Sequence, residues 1–563
     1  MPIRLIAALT IFFFFSTSPL AESRTFEDPP AEDSRFSDFW NFHELVSAER
    51  LREHLEIIAS DSLLGRGTGQ AGIEMAAEYL DNEYRAIGLK PIGDDGTHFQ
   101  HFELEGKVTR QISYNLFDIS EQDTVLSDPV WSQTVSAGNP GDFYNMFGGD
   151  VDLEGQVLFA GFGMETSQIS HSDSLSVRGN WVMMFADAPD EFDFESQSID
   201  ARIRAYLFAL GARGMLIINT TDQQEYESTA TDMVRLLDTP GNIRLPEGGS
   251  RGRFNAAIKV VSPEMATRLL GLSSTESLKE FRRDVAEIHD SFTGMNTDYY
   301  LRLSPETEEI TFTEKNVMGL LEGCHPELKH ETLVISAHYD HMGLDSPDSS
   351  GDMIYNGADD NGSGTVTTLV LAETFKKAKE AGHCPDRSIL FLHVAAEEHG
   401  LLGSRYYSDN PIIPIEDTIV NFNIDMMGRI DDRYIDEEDT DYVYIIGAEI
   451  ISSKLDSLLH VANHQSVNLN LDMIYNDLDD RNQFYRRSDH WNFGRLGIPF
   501  IFFFSGVHAD YHQPSDTIEK IPFDLLEKRA QLIYAALIEV ANAPKRPEVD
   551  NDEFIRRTRS GRR

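Results

Sequence analysis

The chain has 563 residues, which is too many for one ordinary domain, so we expect two or three domains. With 41% hydrophobic residues it can form packed cores, and the composition excludes a disordered chain. The formal net charge of −46 repels phosphate backbones and anionic lipid surfaces, so it argues against nucleic-acid binding. We interpret the acidity mainly as a solvated surface.

The first 21 residues have the order of a secretory signal peptide. Arg4 precedes an apolar run from Leu5 to Phe15, and a stretch ending at Ala21 follows. The run is about half of the ~20 residues that a membrane span needs. We therefore expect cleavage near Ala21, no membrane span in the mature protein, and a periplasmic or secreted location.

The segment before the middle of the chain is predicted to be helical. Residues 22–43 are polar and are interpreted as a leader, whereas 47–60 and 71–87 carry apolar residues at helical spacing. We assign residues 44–106 to the N-terminal part of the catalytic domain.

From 107 to 299 the sequence changes to short apolar runs between polar loops, which predicts an inserted β-rich domain. One helix is predicted at 199–210. The predicted strands of this segment are 156–162, 181–185, 214–218 and 256–261.

From 300 to 544 strand-like and helix-like runs alternate, and a charged tail follows at 545–563. The predicted strands are 315–321, 332–338, 388–395, 418–424, 442–446 and 498–504. The predicted helices are 363–380, 450–463 and 523–542. This alternation predicts an α/β fold with a mostly parallel mixed sheet and helices on both faces.

The chain contains two cysteines, Cys324 and Cys384, and each lies shortly before a predicted strand. If those strands are parallel neighbours, both sulfurs lie at the same edge of the sheet. A disulfide suits an exported protein, but two free thiols are an equally good reading of the sequence.

Residues that bind metals cluster where the predicted strands of the C-terminal half end. Ligands in open α/β sheets bind beyond the carboxyl ends of the strands. The motifs there are His338-Tyr-Asp340-His, Asn356-Gly-Ala-Asp359-Asp-Asn-Gly-Ser-Gly364, Ala-Ala-Glu397-Glu398-His, Asp425, and His508-Ala-Asp-Tyr511-His512.

Histidine nitrogens and carboxylate oxygens are the ligands that catalytic zinc takes. Two zinc ions ~3.5–4 Å apart need a bridging carboxylate. Residues i and i+2 of a strand share a face, so His338 can bind metal while Asp340 fixes its other ring nitrogen. Of two adjacent glutamates, one can bind metal while the other accepts a proton.

These motifs resemble those of the M28 family of zinc peptidases, mainly over 300–545. The resemblance rests on Ser-Ala-His-Tyr-Asp-His, Gly-Ala-Asp-Asp-Asn-Gly-Ser-Gly, Ala-Ala-Glu-Glu and Asp-Tyr-His-Gln-Pro-Ser-Asp-Thr, and the early Gly65–Gly69 stretch also fits. It implies an exopeptidase with two zinc ions that acts on peptides with a free N-terminus. The middle segment resembles the protease-associated domain that this family often carries, chiefly through residues 211–219.

The resemblance also implies a role for each site residue. One zinc ion would be held by His338 and Asp425 and the other by Glu398 and His512, with Asp359 as the bridge. Glu397 would be the general base, Asp340 would orient His338, and Tyr511 would steady the tetrahedral intermediate.

Other polar residues near these motifs have simpler interpretations. Asp360 is assigned no role, and Asp516 is taken as a residue that supports the ligands. The histidines at 341, 399 and 508 are interpreted as loop or packing residues. For His490, which ends the stretch Arg487-Ser-Asp-His in a loop expected on the substrate side, a functional and a structural role are equally weighted.

Two alternatives remain on the same scaffold: a glutaminyl-peptide cyclotransferase with one zinc ion, or a carboxypeptidase. A non-catalytic binding protein is a third, but it would have lost ligands or base, and none is lost. The sequence leaves the preferred N-terminal residue and the oligomeric state undetermined.

Overall fold

The computed structural model describes residues 34–119, 128–147, 151–165, 169–187, 198–246, 256–348, 350–435 and 440–559. The predicted signal peptide lies outside these residues, as do most of the predicted leader and the end of the charged tail. Among the helices of the described residues, none combines the length and apolar character of a membrane span.

The strands of the described residues follow in chain order. They are β1 (Phe99–Asp118), β2 (Trp131–Ser136), β3 (Phe143–Phe147), β4 (Leu153–Phe159), β5 (Trp181–Phe185), β6 (Gly214–Ile218), β7 (Gly241–Arg244), β8 (Ala257–Val261), β9 (Met295–Leu321), β10 (Thr332–His338), β11 (Gly343–Leu344), β12 (Ile354–Tyr355), β13 (Ser388–Val394), β14 (Thr418–Ile424), β15 (Tyr442–Gly447), β16 (Asn470–Asp472) and β17 (Phe500–Phe504).

The α-helices of the described residues are α1 (Ser34–Trp40), α2 (Ala48–Ile58), α3 (Ala71–Ile87), α4 (Ile199–Arg204), α5 (Gln223–Met233), α6 (Pro263–Leu269), α7 (Thr275–Glu287), α8 (Gly364–Glu380), α9 (Leu402–Asp409), α10 (Ser453–Gln465), α11 (His490–Gly494), α12 (Phe523–Asn542) and α13 (Asp552–Arg559).

The C-terminal half forms the predicted α/β layer structure. Its strands lie in the order β16-β15-β17-β14-β10-β13-β9. The central strands β13, β10, β14 and β17 are parallel neighbours, whereas β9 and β15 run antiparallel to theirs. The predicted fold class is therefore confirmed, with antiparallel pairing where β9 meets β13 and β15 meets β17.

Alternate side chains of the central strands serve two apolar cores, as expected for a sheet covered on both faces. On β10, Leu333 and Ile335 belong to the larger core, which helices α2, α3, α8 and α12 cover. Val334 belongs to a smaller core on the opposite face, together with Tyr407 of α9 and Phe493 of α11. Helices therefore cover both faces, as the sequence predicted.

The middle segment contains both strands and helices. Strands β4, β5, β6 and β8 are parallel neighbours, and the predicted strands of this segment overlap these four. Helices α5, α6 and α7 were not predicted, so the segment is less purely β than expected. It has apolar cores of its own. Its likeness to a protease-associated domain, and the division into domains at 107 and 300, stay predictions.

Two long strands join the middle segment to the C-terminal half. Strands β1 and β9 pair antiparallel from Phe99 opposite Val317 to Asp118 opposite Tyr299. Both predicted boundaries, 107 and 300, fall inside this ribbon. Backbone hydrogen bonds therefore continue from one part of the molecule into the other.

Cys324 and Cys384 form a disulfide, which answers the question that the sequence left open. They lie before β10 and β13, which are parallel neighbours, so the two sulfurs meet at the amino ends of these strands. The bond is therefore at the opposite end of the sheet from the predicted metal ligands.

Candidate metal centre

The parallel strands deliver their following residues to one edge of the sheet. His338 is the last residue of β10, and Asp425 directly follows β14. Glu397 and Glu398 follow β13, and His512 lies in the loop after β17. Four strands with the same direction thus bring side chains from distant sequence positions together, as the topology requires.

The carboxylate of Asp360 lies between two histidines. Its Oδ1 is 3.3 Å from Nε2 of His338, and its Oδ2 is 3.1 Å from Nε2 of His512. Each histidine also faces a second carboxylate. His338 Nε2 is 3.2 Å from Asp425 Oδ1, and His512 Nε2 is 3.1 Å from Glu398 Oε2.

Asp359, which the sequence analysis assigned as the bridge, does not occupy that position. Its carboxylate accepts hydrogen bonds from the backbone N–H of Gly428 at 2.5 Å and from Ser363 Oγ at 3.0 Å. It also lies 3.2 Å from Nε2 of His508. The two aspartates are consecutive in an irregular turn, so their side chains leave the backbone in different directions. The structure therefore places Asp360, and not Asp359 as expected, between His338 and His512.

Asp516 holds the turn that presents Asp360. Its Oδ2 accepts the backbone N–H groups of Asp359 at 2.9 Å and of Asp360 at 3.1 Å. The predicted supporting role of Asp516 therefore acts on the backbone of the bridging residue.

Asp340 is buried behind the ligands. Its carboxylate accepts the backbone N–H groups of Glu397 at 3.1 Å and Glu398 at 3.4 Å, and the hydroxyl of Thr68 at 3.2 Å. Nδ1 of His338 lies 3.1 Å from the carbonyl oxygen of Asp340 and 3.8 Å from its carboxylate. Asp340 thus orients His338 through its backbone and both glutamates through its side chain.

Three further residues lie near the centre. The buried His341 lies 2.9 Å from Glu398 Oε1, so it belongs to the cluster and is more than a packing residue. Ser488 Oγ donates a hydrogen bond of 2.6 Å to Asp425, which the sequence analysis did not predict. His490 stacks on Phe502 and bonds the carbonyl of Phe484, so its contacts are structural.

The electrostatics of this cluster favour bound positive charge. Burial lowers the pKa of His338, but the charges of Asp425 and Glu397 outweigh burial and raise that pKa well above its usual value. Burial also lowers the pKa of His512, but Asp360 and Glu398 outweigh burial and raise that pKa to about 10. Positive charge between these carboxylates is thus favoured.

The residues fit a metal site. Asp360 Oδ2 and His512 Nε2 are buried atoms without a hydrogen bond in the described structure, although they lie close together. One nitrogen and two carboxylate oxygens from His338, Asp360 and Asp425 lie within 4.8 Å of one another. A second such set comes from His341, Asp360 and Glu398. Mixed nitrogen and oxygen donors of this kind suit zinc.

Glu397 and Tyr511 line a small cleft beside these ligands. The cleft has a volume of about 50 Å³, and Met426, Phe502 and Phe504 form an apolar wall of it. Burial raises the pKa of Glu397 well above its usual range, and the charge of Glu398 adds to that rise. Burial also raises the pKa of the Tyr511 phenol, so its hydroxyl keeps its proton.

Comparisons with known proteins find peptidases. Residues 316–537 match the sequence model of Peptidase family M28. Aminopeptidase YwaD of Bacillus subtilis is 29% identical over 251 residues, which cover 42% of this chain and 47% of that protein. A probable zinc metalloprotease of Pyrenophora teres f. teres is 25% identical over 320 residues, 50% of this chain and 62% of that protein. The chain thus spans about half the length of these curated relatives.

Among solved structures, a peptidase M28 precursor from Shewanella amazonensis SB2B has a TM-score of 0.51 to this chain at 16% identity. The superposition covers 92% of this chain and 99% of that one. At this identity the likeness supports the fold.

Proposed function

We propose that this chain, whose residues 316–537 match the model of Peptidase family M28, is an aminopeptidase. It would use two zinc ions to remove N-terminal residues from peptides. One observation carries the proposal: the two carboxylate oxygens of Asp360 face His338 at 3.3 Å and His512 at 3.1 Å. With Asp425 and Glu398 on either side, this arrangement supplies two donor sets that share one carboxylate.

Zinc in these positions would polarise the scissile carbonyl and lower the pKa of an attacking water towards ~7. Glu397 would accept the proton of that water and pass it to the leaving amine. Burial raises the pKa of Glu397, which makes its carboxylate a stronger base. Asp340 fixes the backbone of Glu397, which keeps the carboxylate in position.

The protonated hydroxyl of Tyr511 would donate a hydrogen bond to the substrate oxygen that gains negative charge during attack. The cleft beside it is small and partly apolar, which suits the side chain of a single terminal residue. Carboxylates such as Glu397, Glu398 and Asp425 surround the same space and would attract the cationic α-amino group of a peptide.

The test is hydrolysis of a panel of aminoacyl-p-nitroanilides by the wild type and by Glu397→Gln, with and without chelator. We expect the wild type to lose activity on chelation and to regain it with zinc. Glu397→Gln should retain its zinc, measured by elemental analysis, and lose at least about a hundredfold in kcat.

Glu327→Gln is the matched control, because Glu327 is exposed and precedes β10 at the far end of the sheet. Its activity should equal that of the wild type. Activity that persists in both the chelated protein and Glu397→Gln would refute the mechanism.

A carboxypeptidase is the second candidate, because Arg487 lines the same cleft and an arginine there could bind a C-terminal carboxylate. Substrates with one blocked end separate the two activities. An aminopeptidase cleaves leucyl-leucinamide and leaves N-acetyl-leucyl-leucine intact, whereas a carboxypeptidase does the reverse. A zinc content of one ion with cyclisation of N-terminal glutamine would instead identify a cyclotransferase.

We also propose that the protein acts in the periplasm or outside the cell. The signal-like order of residues 1–21 supports export, and the disulfide between Cys324 and Cys384 suits an oxidising compartment. Fractionation of cells that express the full chain, with N-terminal sequencing of the product, tests both the location and cleavage near Ala21.

A further inference from the structure

A second and much larger cavity lies next to the metal centre. It has a volume of about 410 Å³, within the ~300–1,000 Å³ typical of ligand sites. Glu398 lines both this cavity and the small cleft that contains Glu397 and Tyr511. Glu398 therefore borders both spaces.

The walls of the large cavity come from both halves of the molecule. The middle segment supplies Met146 from β3 and Met233 and Leu236 from the end of α5 and the turn after it. The peptidase half supplies Met342 from the loop after β10 and Leu344 from β11. These side chains are apolar although the chain as a whole is strongly acidic.

Polar groups line the remainder of the cavity. Thr68 and Gln70 come from the segment before α3, and Lys107 and Thr109 come from β1. Nζ of Lys107 is 3.8 Å from Glu309, a long separation for an ion pair. An apolar wall beside hydrogen-bonding groups suits an extended peptide. The backbone of such a peptide is polar, and its side chains point alternately to opposite sides.

The volumes of the cleft and the cavity indicate which part of a peptide substrate each can hold. An exopeptidase needs a closed pocket for the one residue it removes and an open path for the remainder of the substrate. The cleft of about 50 Å³ can hold only a small group, whereas the cavity of about 410 Å³ can hold more than one residue.

We propose that the large cavity binds the residues that follow the cleaved bond, and that its apolar wall selects peptides with apolar side chains there. The middle segment then contributes to the substrate specificity of the enzyme. This inference rests on the proposed aminopeptidase activity and identifies a substrate feature that the metal centre alone does not select.

The test compares substrates that differ only after the cleaved bond: leucinamide, leucyl-seryl-serine and leucyl-leucyl-leucine. The initial rate of loss of the intact substrate is measured for each, because the dipeptide product of leucyl-leucyl-leucine also releases leucine. The wild type should cleave leucyl-leucyl-leucine at least about tenfold more efficiently, in kcat/KM, than leucyl-seryl-serine. Leucinamide has no residue in the large cavity and reports the metal centre alone.

Met146→Ser and Leu236→Ser each replace an apolar side chain of the cavity wall by a small polar one. They should lower kcat/KM for leucyl-leucyl-leucine by about three- to tenfold. Both should leave leucinamide hydrolysis unchanged. Leu236→Trp fills the cavity and should raise KM for both tripeptides. It should leave leucinamide hydrolysis unchanged, as the two serine variants do. Met75→Ser is the matched control, since Met75 is 37% exposed, as Met146 is 38% exposed, and lies on α3 outside the cavity.

Equal rates for the two tripeptides, or a loss for leucyl-leucyl-leucine that leucinamide shares, would overturn the inference while the aminopeptidase activity stands. Failure of the wild type to cleave leucinamide or either tripeptide would instead refute the proposed function, and the inference with it. Circular dichroism and the melting temperature of each variant establish that a change in rate is not a change in folding.

Discussion

Replacing Asp360 by asparagine should disrupt the metal centre, whereas the same change at Asp359 should not. Asp360 faces Nε2 of both His338 and His512, and it is 3% exposed. An asparagine carries no charge, so it cannot neutralise two cations from one position. The two substitutions are chemically identical and adjacent in sequence, which makes each the control for the other.

The size of the effect follows from the distances. A unit charge about 3.3 Å from another is worth roughly 5 kcal/mol at an effective dielectric constant of about 20. Since about 1.4 kcal/mol is tenfold in binding, even half of this amount lowers metal affinity by roughly a hundredfold. We therefore expect Asp360→Asn to bind about one zinc ion after dialysis and to lose at least that factor in kcat/KM.

Asp359→Asn should instead lower stability. The substitution removes the charge that faces His508 at 3.2 Å but keeps an oxygen for the N–H of Gly428. Loss of one charge-assisted hydrogen bond costs about 1.5–3 kcal/mol, which lowers the melting temperature by roughly 3–12 °C for a domain of this size. Its zinc content should stay that of the wild type.

Elemental analysis of dialysed protein, aminoacyl-p-nitroanilide kinetics and thermal melting measure the three quantities. The reasoning is refuted if Asp359→Asn loses zinc and activity while Asp360→Asn keeps both.

Two further predictions concern stability. The buried imidazoles of His54 and His393 have folded pKa values of about 4, against 6.5 when unperturbed, because burial disfavours the cation. Between these values the unfolded chain binds more protons, so the stability that is fully present above pH 6.5 falls by up to ~3 kcal/mol per histidine as the pH drops towards 4. Urea midpoints across this range should show the loss, His54→Gln should make the profile shallower, and an unchanged slope would contradict the assignment. Reduction of the Cys324–Cys384 disulfide, which spans a sequence separation of 60, should destabilise the protein by about 4 kcal/mol. The double Cys→Ser variant should match the reduced protein in urea, and equal midpoints for the oxidised and reduced forms would argue against this contribution.

Most of the central sheet could be predicted because its strands are local and apolar. The runs at 332–338, 388–395 and 418–424 correspond to β10, β13 and β14 almost residue for residue. The extent of β9 could not be predicted. Its first part, from Met295, is exposed in alternate positions and depends on pairing with β1 rather than on its own composition.

The helices of the middle segment were missed for a related reason. Helix α5 has the sequence of a polar surface helix and buries few side chains, among them Tyr226, Ala230 and Met233. Its apolar periodicity is therefore weak, and its packing against β3 is a tertiary contact that no local pattern reveals.

The sequence by itself determined which kinds of ligand stand at the ends of the strands and in what order, because side-chain chemistry and strand period are local properties. It determined the presence of histidine and carboxylate donors that fit zinc. It could not decide between Asp359 and Asp360, since both have the same ligand atoms and differ only in the direction that the turn gives them.

Only the tertiary structure decided that direction, through the backbone N–H groups that Asp516 holds and the N–H of Gly428 that Asp359 accepts. It likewise decided the disulfide and the large cavity, whose walls come from residues far apart in sequence, such as Thr68 and His399. Such features depend on distances between segments, and these distances exist only once the chain has folded.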